Sequence, residues 1–227
     1  MAMLDSRLWN LLKKILFFGD PLYRIFDHGG ATHQFCNEQA VIILASDGFF
    51  KEANFFRKHL AVINKGVSWA DRGWKCLAHY LDPDTGKGLG FLPGANIEGR
   101  EHFERALAFW KAGKTGPSLF HLGACLHIVQ DLCVPHHAVP AAFEGHQEFE
   151  SWARKNRPTY RVSAHGVYDA GQLPEDWFYE NARKAKTYFR PGMWKDKEFL
   201  NYVTAELLPL AQRTTSGFMR YFFRFLE

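Results

Sequence analysis

The sequence predicts an all-α fold that consists of a single multi-helix domain. Apolar residues recur at helical spacing along most of the chain, only residues 159–162, within a linker-like stretch at 157–173, could form a strand, and no repeat of fixed period occurs. Hydrophobic residues make up 47% and charged residues 23% of the 227 positions, which excludes disordered and fibrous proteins. The net charge of +4 is too small to indicate nucleic-acid binding, so no stable nucleic-acid complex is expected.

Residues 1–29 are predicted to form an amphipathic helix and a linker ahead of the main domain, which spans 30–227. Lys13 and Lys14 interrupt an apolar stretch that otherwise looks like a secretion signal, and no cleavage site follows it. The helix is expected either to pack on the domain or to lie on a membrane surface. Because no clear signal peptide is visible, the sequence indicates a cytoplasmic or peripheral membrane location.

Glycine, proline and polar residues mark the predicted ends of the helices in the main domain. The first helix begins near Thr32 and stops at 46–48, and the next one follows at 49–60. The remaining helices are predicted at 100–112, 120–134, 174–189 and 196–226. Pro209 is expected to kink the last of them. A glycine- and proline-rich loop at 82–96 is long enough to favour a functional role.

The four cysteines never form a CxxC pair and lie among apolar neighbours. This pattern predicts free, buried thiols and not a zinc knuckle or a disulfide framework. No uncharged apolar run of about 18 residues occurs, which excludes an ordinary membrane span.

The helix at 120–134 is nearly all apolar, yet it contains His127 and Asp131. These residues are four positions apart and therefore share one face of the helix. A buried carboxylate needs a charged partner. For this pair alone, a hydrogen bond inside the core and a metal site are equally good interpretations.

More imidazoles and carboxylates cluster just after this helix. His136 and His137 follow Pro135, and His146 and Glu150 repeat the same four-residue spacing on the next predicted helix. Two such pairs with an additional imidazole favour zinc, which prefers nitrogen and carboxylate oxygen ligands.

Three residues further upstream are also candidates, although each alone is more often structural than functional. They are His33, Asp71 and His79. The other histidines have no acidic or imidazole partner at ligand spacing and are assigned no role. These are His59, His102, His121 and His165.

Four motifs follow one another along the chain: HYLDPDTG at 79–86, LGACLHIVQD at 122–131, PHHA at 135–138 and GHQEFE at 145–150. Together they resemble the zinc-dependent bacterial phospholipase C family, which is related to the single-strand-specific zinc nucleases. Weaker similarity continues through PEDW at 174–177 and the final helix. The resemblance therefore covers about residues 30–226.

The resemblance implies a trinuclear zinc site on an all-α scaffold. The implied ligands are Asp71, His79, His127 and Asp131 for one metal, His137, His146 and Glu150 for a second, and His33 with a bridging Asp131 for a third. Of the adjacent imidazoles, His137 and not His136 matches the family's Pro-x-His pattern.

The third metal site departs from the family pattern. In the family an N-terminal tryptophan chelates this metal, whereas Trp9 is not terminal and residues 20–30 contain no tryptophan. Asp20, Asp27 or His28 could substitute, or proteolysis could create a new terminus. Otherwise the chain would hold two zinc ions and not three.

The substrate side departs from the family as well. The choline-binding members carry aromatic rings at the positions of Arg72 and Cys76. A guanidinium repels a quaternary ammonium, so choline is a poor prediction, and Arg72 would better suit a phosphate or carboxylate. Tyr80 is a second predicted substrate-binding residue and would stack on the base of a nucleotide substrate.

The resemblance implies a phospholipase C-type hydrolase that uses a zinc-activated water to release diacylglycerol and a phosphorylated headgroup. Asp71 is hypothesised to accept a proton from that water as well as to bind metal. The alternatives are a zinc-dependent nuclease or nucleotidase, and a catalytically degenerate metal-binding scaffold. The expected partner is a phospholipid or another phosphodiester, with peripheral membrane contact left open and secretion as the family-based alternative location.

Overall fold

The computed structural model describes residues 30–141 and 144–226, apart from the side chain of Trp74. This part of the chain forms helices and no strand, as predicted. The α-helices are α1 (Ala31–Ser46), α2 (Phe50–Ala70), α3 (Ala95–Lys111), α4 (Thr115–Asp131), α5 (Pro135–Ala138), α6 (His146–Asn156), α7 (Pro174–Lys186) and α8 (Lys197–Phe223). Short 3-10 helices span Gly73–Ala78 and Arg157–Tyr160. The helix predicted within 1–29 lies outside the described residues.

The possible strand at 159–162 is wrong. Arg157–Tyr160 is a 3-10 helix, and the backbone that follows bonds to a side chain of α8: Gln212 donates to the Tyr160 carbonyl and accepts from the Val162 amide. Because a glutamine and not a second strand satisfies these backbone groups, no sheet forms here.

The boundaries of three predicted helices also need correction. Helix α2 continues to Ala70, α3 begins at Ala95, and α4 starts at Thr115 and ends at Asp131. The weak helix formers Asn64 and Gly66 remain helical because α2 packs along α4, and such packing overrides intrinsic propensity. Helix α8 runs through Pro209 without a break.

Helix α4 is the buried centre of the fold. It packs against α2 and α3, and residues 122–131 are all buried. Full burial of one leucine or isoleucine side chain contributes about 1.5–3 kcal/mol, so this helix is a main source of stability. The aromatic end of α8 adds Tyr221, Phe222 and Phe223 to the same core, which favours core packing over lipid contact.

Helices α2 and α4 cross with their backbones in contact. A Cβ atom on Gly66 would lie 1.9 Å from the carbonyl oxygen of Phe120, and one on Gly123 would lie 2.0 Å from that of Ile63. Only glycine permits this approach. The crossing places the C-terminal end of α2, and with it Asp71, beside the face of α4 that carries His127 and Asp131.

Asp47, directly after α1, anchors the linker-like segment at 157–173. Its carboxylate accepts hydrogen bonds from the His165 and Gly166 amides, at 2.9 and 2.8 Å, and from the Tyr168 hydroxyl at 2.6 Å. The segment is therefore tied to the helices although it has little secondary structure.

None of the helices in the described part has the length and apolarity to cross a bilayer. All four cysteines are free, as predicted, but only three are buried, since Cys76 is half-buried.

Candidate metal centre

The first ligand group consists of Asp71, His79, His127 and Asp131. Asp71 caps the end of α2, His79 follows the first 3-10 helix, and His127 and Asp131 share one face of α4. The His127 Nε2 atom lies 3.0 Å from Asp71 Oδ1 and 2.9 Å from Asp131 Oδ2. The His79 Nδ1 atom lies 2.8 Å from the same Asp131 oxygen. One ligand atom from each residue falls within 4.8 Å of the others.

These short distances are not ordinary hydrogen bonds. Both His127 Nε2 and His79 Nδ1 are buried and lack a partner in hydrogen-bonding geometry, although carboxylate oxygens stand close to them. Nitrogens and carboxylate oxygens that converge without bonding to each other fit a zinc ion, which takes both ligand types in a tetrahedral arrangement.

The electrostatics of the first group favour ionised carboxylates. Burial lowers the pKa of His127, but the charges of Asp131 and Asp71 outweigh it and raise this pKa well above its ordinary value. Burial opposes ionisation of Asp131, yet the imidazoles of His127 and His137 hold its pKa well below the usual range. The pKa of Asp71 is also lowered, because His127 outweighs the opposing effect of burial.

The second ligand group consists of His137 on α5 with His146 and Glu150 on α6. The His146 Nε2 atom lies 3.0 Å from His137 Nε2 and 2.9 Å from Glu150 Oε1. His137 Nδ1 donates to the carbonyl of His79, which leaves Nε2 turned toward the group. Burial raises the pKa of Glu150, but the two imidazoles outweigh it and lower this pKa far below its ordinary value.

The structure brings His137, and not His136, into this group. His136 Nε2 donates to the carbonyl of Glu144 over 2.7 Å, and its ring lies 4.2 Å from that of Trp194. Burial, with the nearby His146, lowers the pKa of His136 to about 3, so its ring stays neutral. His136 therefore has a packing role beside the second group.

His33 on α1 faces the other oxygen of Asp131. Its Nε2 atom lies 3.4 Å from Asp131 Oδ1, while its Nδ1 donates to Gln130 Oε1 over 2.9 Å. Gln130 is itself fixed, because its amide group donates to Asn37 and Thr215. Asp131 thus presents one oxygen to His33 and the other to His79 and His127. The candidate substitutes Asp20, Asp27 and His28 lie outside the described residues.

Gln130 is the residue that sequence reasoning missed. It orients a predicted metal ligand from one position before Asp131. The signal was present in the sequence: an uncharged polar residue in an otherwise apolar helix needs a hydrogen-bond partner when it is buried.

A cavity of about 710 Å³ opens onto both ligand groups. Asp71, Asp131, His137, His146 and Glu150 line it on the polar side. The apolar lining residues include Leu77, Leu89, Val134, Leu207 and Leu208. Candidate metal ligands and apolar side chains therefore line the same cavity.

The two predicted substrate-binding residues lie in different places. Tyr80 lines the cavity, is buried, and stacks on the His137 ring with 4.5 Å between ring centroids. Arg72 is exposed and borders a separate hollow with Trp69 and Lys65. A role for Arg72 in substrate binding stays a prediction.

The expectation that His102 and His121 lack a partner is wrong. Their Nδ1 atoms are 3.1 Å apart, and His102 Nε2 lies 3.3 Å from Glu98, four residues earlier on α3. The Glu98 spacing was visible in the sequence, whereas the contact with His121 depends on how α3 packs against α4.

Comparison with known proteins identifies the family. A family model described as zinc dependent phospholipase C matches residues 32–217, which is most of the chain. The chain belongs to the zinc-dependent phospholipase C family. This membership confirms the predicted family, the all-α fold, zinc as the cofactor and the class of enzyme, a zinc-dependent phosphoric diester hydrolase.

Several known proteins are similar to this chain. A phospholipase C of Listeria monocytogenes is 25% identical over 224 residues, which cover 84% of this chain and 76% of that protein. A phospholipase C of Bacillus cereus is 27% identical over 175 residues, covering 64% of this chain and 61% of that one. The alpha toxin of Clostridium absonum has the same fold, with a TM-score of 0.76 at 21% identity over 87% of this chain and 64% of the toxin.

Proposed function

We propose that this chain cleaves phospholipids between the glycerol oxygen and phosphorus, releasing diacylglycerol and a phosphorylated headgroup. The observation that carries this proposal is the cavity, in which two groups of candidate zinc ligands face an apolar wall. A phospholipid needs both environments at once, because its phosphate is anionic and its glycerol and acyl portions are apolar. The names of the curated relatives support the same substrate class.

In this proposal Asp71, His79, His127 and Asp131 hold one zinc ion, and His137, His146 and Glu150 hold a second. A third ion would use His33 and the second oxygen of Asp131, so the chain holds two or three ions. Zinc supplies Lewis-acid polarisation of the phosphoryl oxygens and lowers the pKa of water enough to give a nucleophile near neutral pH.

The protein side chains position this chemistry. The buried imidazoles and Asp131 are held by their neighbours, as His33 is by Gln130 and His137 by the His79 carbonyl. Asp71 is different, because its side chain is 39% exposed and borders the cavity. We infer that its carboxylate accepts the proton of the attacking water. The lowered pKa of Asp71 keeps this carboxylate ionised at neutral pH, as a proton acceptor must be.

The nuclease alternative has less support. Stacking a base on Tyr80 requires an open ring face, but this side chain is 5% exposed and already stacks on His137. The headgroup is left open, because only one of the two positions that argued against choline borders the cavity: Cys76 lines it and Arg72 does not. Peripheral contact with a lipid surface would follow from the proposed substrate.

The test combines metal counting with a substrate panel. Protein purified without chelator should contain two or three zinc ions per chain and should release diacylglycerol from short-chain phospholipids below their micellar concentration. Single-stranded DNA, mononucleotides and bis(p-nitrophenyl) phosphate serve as competing substrates. Zinc-loaded protein that cleaves only nucleotides would overturn the substrate class, and protein that cannot be loaded with zinc would overturn the mechanism.

A further inference from the structure

Two helices carry a second imidazole pair outside the cavity. His102 on α3 and His121 on α4 approach with their Nδ1 atoms 3.1 Å apart. Neither residue lines the cavity or contacts the ligand groups described above. His102 is buried and His121 is half-buried, so the pair lies at the edge of the α3–α4 contact.

The Glu98 carboxylate favours a proton on the Nε2 atom of His102. It lies one helical turn before His102, with its Oε1 atom 3.3 Å from His102 Nε2. A carboxylate only accepts hydrogen bonds, so Nε2 carries the proton and the lone pair of Nδ1 points toward His121. A carboxylate behind an imidazole is the arrangement that orients histidine ligands in metal sites.

His121 is a neutral imidazole, as a histidine ligand to a metal must be. Burial lowers its pKa to about 4, with further contributions from His102 and Arg105, so the ring is neutral at pH 7. With the His102 proton on Nε2, His121 Nδ1–H is the donor in the 3.1 Å contact and His102 Nδ1 the acceptor. The Arg105 guanidinium lies 3.7 Å from the Glu101 carboxylate. Because it pairs with Glu101, it does not simply compete with a ligand for the space between the two imidazoles.

Aromatic rings restrict the movement of both imidazoles. Phe109 stacks on His121 with 5.5 Å between centroids and an interplanar angle of 8°. Trp69 meets His102 edge-on at 5.7 Å. Restricting the two rings in this way lowers the entropy cost of binding a ligand between them.

We propose that His102 Nδ1 and His121 Nδ1 form a two-histidine site for a divalent transition metal ion such as Cu²⁺, separate from the zinc centre. On binding, the His121 proton moves from Nδ1 to Nε2, so both Nδ1 lone pairs face the ion and no net proton is released. Water fills the remaining positions. Imidazole nitrogen suits copper, and Cu²⁺ binds such sites more tightly than the other common divalent ions.

The test titrates Cu²⁺ into the zinc-loaded protein and follows electron paramagnetic resonance and zinc release together. We expect the site to saturate near one Cu²⁺ per chain without loss of zinc, with superhyperfine splitting from two nitrogens. Cu²⁺ should also quench tryptophan fluorescence, because Trp69 touches His102.

Three variants separate the site from background binding. His121→Phe keeps a ring against Phe109 and should abolish the two-nitrogen signal, and Glu98→Gln should weaken binding by about tenfold. His59→Ala is the control, since His59 contacts Phe55 and not another imidazole. An unchanged spectrum in His121→Phe, or copper uptake matched by zinc loss, would overturn the proposal. Neither result bears on the proposed phospholipase activity.

Discussion

The Nδ1 atom of His137 donates a hydrogen bond to the carbonyl oxygen of His79 over 3.0 Å. The bond joins the two candidate ligand groups, because each residue contributes a ring nitrogen to a different one. A backbone hydrogen bond connects the same two segments, since the Leu81 amide donates to the His137 carbonyl. The spacing between the groups is therefore fixed by the backbone and not only by bound metal.

Replacing Asp71 with asparagine should separate catalysis from metal binding. If Asp71 accepts the proton from water, the variant should lose about 10²–10⁴ in turnover while it keeps most of its zinc. Turnover is measured on a soluble short-chain phospholipid, and zinc by elemental analysis. Equal losses of turnover and zinc would mean that Asp71 only binds metal. Asp169→Asn, a change at an exposed aspartate, is the control.

Asp131→Asn should cost more zinc than Glu150→Gln. One Asp131 oxygen faces His33 and the other faces His79 and His127, whereas Glu150 belongs to one group alone. Zinc per chain should fall by about one in Glu150→Gln and by more than one in Asp131→Asn. Glu148→Gln, an exposed change on the helix that carries Glu150, is the control and should keep its zinc. Similar zinc losses in all three variants would argue against Asp131 as a shared carboxylate.

Gly123→Ala should destabilise the fold by about 1–3 kcal/mol or more. Alanine is the better helix former by about 1 kcal/mol, but its Cβ would meet the Ile63 carbonyl at 2.0 Å and force the helices apart. Urea unfolding measures the change. Gly116→Ala on the same helix meets nothing within 4 Å and should be neutral or stabilising, so equal effects would refute the close crossing.

Asp47→Asn should change the pH dependence of stability. Burial raises the pKa of Asp47, but the hydrogen bonds from Tyr168, Gly166 and His165 outweigh it and hold the pKa below 3.8. The stabilisation is thus fully present well above the ordinary pKa of an aspartate and is lost as the pH falls through the lower folded-state pKa. Wild type should exceed the variant by about 1 kcal/mol at pH 7 and by less at pH 3. A difference that grows on acidification would contradict this account.

The sequence predicted which candidate ligands lie together better than it predicted where the helices end. The ligand positions follow from short spacings such as His127 to Asp131 and His146 to Glu150, which one helix turn converts directly into proximity. The start of α3 and the length of α2 depend on contacts between helices. Gly66, for example, is a weak helix former in the sequence, but it lies where α2 packs closely against α4.

Long-range contacts were beyond the sequence for the same reason. Gln130 bonds to His33, which is 97 positions away, and His102 meets His121 across a helix pair. No local spacing encodes either contact. The resemblance to a known family supplied the grouping of ligands, but it was silent about the second imidazole pair.

Each ligand group has one carboxylate that reaches solvent, Asp71 at 39% and Glu150 at 49% exposed, whereas its other members are mostly buried. In either group, water or a chelator would therefore reach a bound ion at the exposed carboxylate before it reaches the buried ligands. The rates of zinc exchange should therefore respond more strongly to these two side chains than to Asp131 and the histidines. Chelator competition followed over time would resolve the two ions as separate kinetic phases, each slowed or accelerated by its own carboxylate.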